Sequence, residues 1–264
     1  MTDRVTRELF SRTGAALGPG RLCLMLDFDG TLSEIAPTPE KARFYPPAKR
    51  ALERLSRLTG VTVALVSGRD VSDLRSKAGL SRALYCGNHG LELPGFRLPA
   101  PVESAKRAFR RSARPALRLL RKIASRYPGS RIQEKKFSLS LHYRALRPAA
   151  SRAMAGELRE AQRVLSRMPG VRTGTGKKVL ELKAKADFHK GAACRLILAR
   201  RGGAGLYMGD DVTDEDAFRA LRGRAVTVFV GPKGRPTAAR RRVPDPRAAA
   251  RLLEKILRAA AEER

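Results

Sequence analysis

The sequence predicts an α/β protein: a doubly wound, Rossmann-like parallel-sheet core carrying an inserted α/β cap. Three observations predict it. Apolar, β-branched runs alternate with helix-patterned stretches in both terminal parts of the 264-residue chain, as expected of parallel strands covered on both faces by helices. Between 98 and 183 the pattern changes to helix–strand–strand, twice over. That segment also holds 22 of the 55 basic residues and only five of the 25 acidic ones, so +17 of the net +30 charge lies there. The expected division is a core of 1–97 and 184–264 and a cap of 98–183.

The elements follow in order. RLCLMLDFDG (21–30) is an apolar strand that ends in acids. A proline-rich loop (36–47) leads to the helix-patterned AKRALERLSRL (48–58). VTVALVSGRD (61–70) is a second strand, followed by another helix signal and by ALYCGNHG (83–90). In the cap, Phe109, Ala113, Ala116, Leu120, Ile123 and Tyr127 recur at 3/4 spacing, with Pro115 predicting a kink or a split. Met154, Leu158, Ala161, Leu165 and Met168 repeat the stripe. Strand pairs follow each helix: 131–135 with 137–144, then 170–174 with 177–183. Beyond the cap a helix opens at Lys190, and GLYMGDD (205–211) and AVTVFVG (225–231) are strands.

Composition narrows the function classes. The +30 charge attracts phosphate groups without reading sequence. Aromatics are only 5%, tryptophan is absent, and no zinc-finger, RNP-type or basic-zipper pattern occurs, so specific nucleic-acid binding is not expected. The three cysteines, Cys23, Cys86 and Cys194, are too widely spaced for a zinc pattern or a disulfide framework. No apolar run approaches the ~18–20 residues of a membrane span. MTDRVTRELF has no hydrophobic core of a secretory signal. The expectation is a cytoplasmic protein with no membrane partner.

Two acidic clusters carry the chemistry. In LDFDGTL (26–32), Asp27 and Asp29 stand at the carboxyl end of a buried strand, where open α/β sheets bind ligands. Asx turns would explain one aspartate after a strand, not two. In GDDVTDEDAF (209–218), helix capping explains Thr213, Glu215 and Asp216 but leaves Asp210 and Asp211 over. Acids gathered at one sheet edge repel unless a cation lies between them, and a hard ion such as Mg2+ suits carboxylate and phosphate oxygens. VSGRD (66–70) offers the Ser67 hydroxyl to a phosphoryl oxygen, or is a plain strand-to-helix turn. Lys190 at a helix N-terminus opposes the helix dipole, which makes sense beside an anion.

LDFDGTL, VSGRD, HKGAA and GDDVTDEDAF, in that order, resemble the four motifs of haloacid-dehalogenase-superfamily phosphatases. GNHGLE (87–92), YPGSRIQEKKFSLSLHYR (127–144), GKKVLELK (176–183) and TAAR (237–240) narrow the resemblance to the trehalose-6-phosphate phosphatase branch. The likeness runs from about residue 20 to 255. It implies Mg2+-dependent hydrolysis of a sugar phosphate, with Asp27 as nucleophile and Asp29 as the acid/base. It implies that Thr31, Ser67 and Lys190 hold the phosphoryl group. The ion would be held by Asp27, the Asp29 carbonyl and Asp210, with Asp211 and Asp214 in support. The cap would close over the sugar. Substrate contacts would come from Arg69, His89, Gly90, Lys135, His142, Arg144, Lys177 and Glu181. A monomer acting on a small sugar phosphate is expected.

Strand alternation bears on the cap without that likeness. It places Ser140, His142 and Arg144 on one face, and Lys177, Val179, Glu181 and Lys183 on one face. Such a face either binds a ligand or is simply solvated. One position departs from the branch's pattern: its usual Glu-x-Lys is here Gln133-Glu134-Lys135. A shift of one residue along a strand turns a side chain to the other face, so Glu134 is a poor substitute for the missing acid. This leaves a related sugar phosphate, of sucrose or mannosyl-glycerate, as the neighbouring reading. A basic polyanion-binding protein that kept the fold is the more distant one.

Overall fold

A computed structural model describes residues 2–12, 21–36 and 38–262. They form two compact units, Met1–Gly95 with Phe188–Arg264, and Phe96–Asp187. The chain begins with α1 (Thr2–Phe10), then β1 (Leu22–Leu26), α2 (Pro46–Leu55), β2 (Val61–Val66), α3 (Val71–Ala78) and β3 (Leu84–Cys86). The second unit contains α4 (Ala100–Ala124), β4 (Arg131–Lys135), β5 (Ser138–His142), α5 (Pro148–Leu165), β6 (Val171–Gly176) and β7 (Val179–Ala184). The chain then returns through α6 (Lys190–Arg201), β8 (Ala204–Gly209), α7 (Val212–Ala220), β9 (Ala225–Val230), β10 (Arg241–Val243) and α8 (Pro246–Glu262).

The first unit is built on a six-stranded parallel sheet of order β10-β9-β8-β1-β2-β3. Every residue of β1, β8 and β9 is buried, which only helices on both faces can achieve. Alternation along β1 divides the core. Leu22, Leu24 and Leu26 join the apolar cluster formed with α1, α2 and α8. Cys23, Met25 and then Asp27 have the opposite parity and face the layer of α6. From β1 the chain builds β2 and β3 on one side and later returns to β8 on the other. That reversal opens a crevice at the carboxyl ends of β1 and β8, where α/β sheets bind ligands.

Sequence patterning assigns no element to 2–10, yet α1 buries Val5 and Leu9 and is fastened to the sheet edge. Glu8 accepts hydrogen bonds from Arg241 Nε and Nη2 at 2.9 and 2.6 Å, and lies 3.3 Å from Arg240 Nε.

The second unit is a four-stranded antiparallel sheet, β4-β5-β7-β6, covered on one face by α4 and α5. Leu139, Leu141, Leu180 and Leu182 are buried, as are Phe109, Leu120, Ile123, Met154, Leu158 and Leu165 of the helices. Of the kink or split expected at Pro115, the split does not occur: α4 runs as one 25-residue helix. Phe109, Ser112, Ala116, Leu120 and Ile123 are buried on both sides of the proline, so packing of one continuous stripe outweighs the lost backbone bond. Tyr127 lies beyond the end of α4, and its hydroxyl donates to Glu157 of α5 at 2.7 Å. Among the described residues no helix is long and apolar enough to cross a membrane.

Candidate active site

The site begins where β1 stops. The Asp27 N–H still donates to Met208 O of β8 at 2.9 Å, after which Leu32 and Ser33 N–H both turn back onto Phe28 O. Gly30 takes φ +75°, and a Cβ there would stand 2.1 Å from Asp210 Oδ2. Only glycine provides both the left-handed turn and the space for that carboxylate. Thr31, fully buried, donates its hydroxyl to Asp210 Oδ1 at 3.0 Å. The loops after β1 and β8 are thereby joined.

Lys190 and the acids form one buried network. The Lys190 ammonium, 3% exposed, lies 3.1 Å from Asp27 Oδ1 and 2.8 Å from Asp214 Oδ1. Burial alone would pull this ammonium down, but Asp27 and Asp214 beside it raise it and hold it charged. Asp27 is pushed well above the carboxylate range, first by burial and then by Asp214 and Asp210, with Lys190 opposing. Burial and Asp214 likewise push Asp210 up to about 7. One carboxylate oxygen each from Asp27, Asp210 and Asp214 lie within 4.8 Å of one another.

Asp214 is the anchor of this group. Its Oδ1 accepts from Lys190 Nζ and from Tyr207 OH at 2.6 Å, and its Oδ2 accepts from the Asp210 and Asp211 N–H groups at 2.9 Å. Both oxygens are committed within the protein. Asp211, named with it from sequence, does not join the cluster: it is the N-cap of α7, its carboxylate accepts from Val212 N, and it is more than half exposed.

Ser67 follows β2, next to β1 in the sheet, and is buried with its Oγ accepting from Arg69 N at 3.2 Å. Asp29 is nearly half exposed and is gripped by Arg69, whose Nε and Nη2 donate to its two oxygens at 2.7 Å each. Asn88 and His89 both have φ near +50°, a conformation side chains rarely adopt and one that recurs at functional sites. Asn88 Nδ2 braces the turn by donating to Asp70 and Glu92 at 2.6 and 3.0 Å. The His89 ring consequently lies against Gly68, where a Cβ would stand 2.5 Å from it, and Gly90 packs against the His189 carbonyl.

In the cap, cross-strand register sets Gln133 opposite Ser140, Ser140 opposite Glu181, and Glu181 opposite Gly174. Alternation adds Arg131, Lys135, His142, Val179 and Lys183 to that face. Glu181 Oε2 is 2.9 Å from Lys183 Nζ. Burial and Arg131 lower the His142 pKa, which favours the neutral ring. Glu134 turns to the other face, where it accepts from Arg121 of α4 at 2.7 Å. Two expected members fall outside the strands. Lys177 occupies the tight turn between β6 and β7, and Arg144 lies in the turn after β5, so alternation does not fix their face.

The family model described as trehalose-phosphatase matches residues 25–246. The chain belongs to the trehalose-phosphatase family. It is 37% identical over 215 residues to the trehalose-phosphate phosphatase of Mycobacterium avium, covering 77% of this chain and 52% of that protein. It thus spans about half the length of the curated relatives it matches. In fold it is similar to the trehalose-6-phosphate phosphatase of Aspergillus fumigatus, with a TM-score of 0.66 at 24% identity, covering 98% of each chain. The C-terminal domain of the Candida albicans trehalose-6-phosphate phosphatase gives 0.71 at 22% identity, covering 96% of this chain and 97% of that one. These likenesses agree with a parallel-sheet core bearing a cap of antiparallel strands.

For a trehalose-phosphatase family member the donor set fits a hard divalent cation. Asp27 is buried and Asp210 half-buried, their carboxylates repel one another, and Asp214 and Thr31 hold them in place. Sequence reasoning missed Tyr207 and Asp73. A tyrosine inside an all-buried strand needs a partner for its hydroxyl, and here that partner is Asp214. Asp73 stands four residues after Arg69 and accepts from its Nη1 at 2.6 Å.

Proposed function

We propose that this chain is a magnesium-dependent phosphatase that hydrolyses trehalose 6-phosphate through an aspartyl-phosphate on Asp27. The observation that carries the proposal is Asp27 itself, a carboxylate held 3.1 Å from the Lys190 ammonium among Asp210, Asp214 and Thr31 at the sheet's switch point. Phosphoryl transfer asks chiefly for positioning and charge neutralisation, and this arrangement supplies both. Asp27 forms the bond to phosphorus while the bond from phosphorus to the sugar oxygen breaks, and Asp29 gives that oxygen its proton. Asp29 then takes a proton from water as water displaces Asp27 and releases phosphate. Lys190, Thr31 and the Ser67 hydroxyl hold phosphoryl oxygens. Magnesium, when bound, neutralises charge on the phosphoryl oxygens; Asp27, the Asp29 carbonyl and Asp210 would hold it, with Asp214 as their support. The chain is read as a cytoplasmic monomer, and its free, buried cysteines suit a reducing compartment. Inorganic phosphate release from trehalose 6-phosphate with magnesium, abolished by EDTA, tests the activity.

The metal assignment has a pH signature. Asp210 titrates near 7 in the folded chain against 3.8 for an ordinary aspartate, so between those values the folded state binds more protons. Its contribution without metal therefore falls as pH rises from about 4 to 7. A bound cation removes this penalty, and protons compete with it. Added magnesium is expected to raise Tm clearly more at pH 8 than at pH 5.5. An equal rise at both pH values would place the ion elsewhere.

The sugar is assigned to the cap face bearing Gln133, Ser140, His142 and Glu181. A site built of such hydrogen-bonding groups discriminates strongly, because a wrong ligand leaves them unpaired. Glu181→Ala is expected to lower kcat/KM for trehalose 6-phosphate at least about tenfold, equivalent to ~1.4 kcal/mol. A small aryl phosphate should change much less. Equal losses on both would make Glu181 a structural or catalytic residue.

A further inference from the structure

Resting on the reading of Asp29 as the acid/base, we infer that Arg69 is a positioning residue for Asp29 and not a grip on the substrate. Arg69 is 7% exposed, and its planar fork is held from three directions. Nε and Nη2 meet both oxygens of Asp29 at 2.7 Å, and Nη1 meets Asp73 Oδ2 at 2.6 Å. Its guanidinium carbon lies 5.6 Å from the centre of the Phe28 ring, itself buried and edge-packed on Phe44. Asp29, by contrast, is 44% exposed and stands in the turn before Gly30. A half-exposed aspartate on a turn has several rotamers open to it. The bidentate pair selects one and fixes the plane of the carboxylate, which a lysine cannot do. Asp73, four residues along on α3, fixes the arginine in turn.

The chemistry explains the need. Asp29 must reach the bridging oxygen as the bond from phosphorus to the sugar breaks, and later the water that attacks Asp27-bound phosphorus. In both transfers the proton moves along a line set by the carboxylate's orientation, so an acid/base free to rotate spends less time in reach. Arg69 touches neither reacting atom in this scheme. Its effect passes wholly through Asp29.

That separation gives the test. Arg69→Ala, Arg69→Lys and Asp73→Asn are compared with wild type by kcat/KM, which reports the steps up to loss of the leaving group. The substrates are trehalose 6-phosphate, whose alkoxide needs a proton, and 2,4-dinitrophenyl phosphate, whose phenolate does not. Arg69→Ala is expected to lose at least about 100-fold on the sugar ester and no more than about threefold on the aryl ester. Millimolar guanidinium should restore part of the sugar-ester rate, and Arg69→Lys should not. Asp73→Asn, which keeps Arg69 and lies on a half-exposed side chain, should show a smaller loss with the same selectivity. In an Asp29→Asn background, Arg69→Ala should cost less than about threefold more, because it has nothing left to orient. Equal losses on both esters, or full additivity with Asp29→Asn, would put Arg69 on the phosphate or in the scaffold and overturn the inference. Wild type that releases phosphate from neither ester overturns the acid/base reading as well, and so is told apart from a failure of Arg69 alone.

Discussion

Asp27→Asn is expected to abolish phosphate release while leaving the fold intact. An amide does not attack phosphorus at a useful rate, so the loss should be complete within detection and not a graded 10²–10⁴-fold effect of the kind about which acid/base variants cluster. The fold should hold because the substitution is nearly isosteric and Lys190 keeps Asp214 at 2.8 Å. Burial already disfavours the Asp27 carboxylate, so its neutral replacement leaves no new unpaired charge. Purified variant, matched to wild type by circular dichroism and Tm, is assayed for phosphate release. Substantial turnover of the sugar phosphate would remove the covalent mechanism.

Lys190→Met is expected to lose both stability and activity. The ammonium is the cation lying against both Asp27 and Asp214, and all three groups are at most 6% exposed. Removing one partner of a buried charge group leaves the others uncompensated, which costs about 3–5 kcal/mol. Part of that cost should vanish on acidification, because the Asp27 carboxyl, already pushed up by burial, takes a proton more readily once Lys190 is gone. Urea unfolding at pH 7.5 and pH 5 measures both effects. A loss below about 1 kcal/mol, or one independent of pH, would mean that the network does not stabilise the core as described.

Much of the site is legible because each strand that carries it announces itself. LCLML and AGLYMG are apolar runs, and the acids that follow β1 and β8 break those runs abruptly. Parity along β1 already directs Asp27 to the side of Cys23 and Met25, where α6 opens with Lys190. What sequence does not carry is the division of labour among like residues. Asp211 and Asp214 look equivalent in GDDVTDED, yet one caps α7 and the other accepts four hydrogen bonds in the core. Arg69 looks like a ligand for an anionic substrate until Asp29 and Asp73 are seen to occupy its fork. Both distinctions depend on contacts between segments distant in sequence, or on rotamers, and periodicity reports neither. In the cap, alternation correctly separates Gln133 from Glu134, since each lies within a strand. It fails at Lys177 and Arg144 because the strands end before reaching them. Of the kink or split expected at Pro115, the split is ruled out for a related reason: a long buried stripe keeps α4 continuous.

The covalent step on Asp27 is tested most directly by catching it. The wild-type chain is mixed with trehalose 6-phosphate and magnesium, quenched in acid during turnover, digested and examined by peptide mass spectrometry. One added phosphoryl group is predicted on the peptide containing Asp27, sensitive to hydroxylamine as an acyl phosphate is, and missing from Asp27→Asn and from samples treated with EDTA. Steady phosphate release with no phosphoryl group on Asp27, or with the group on another residue, would contradict it.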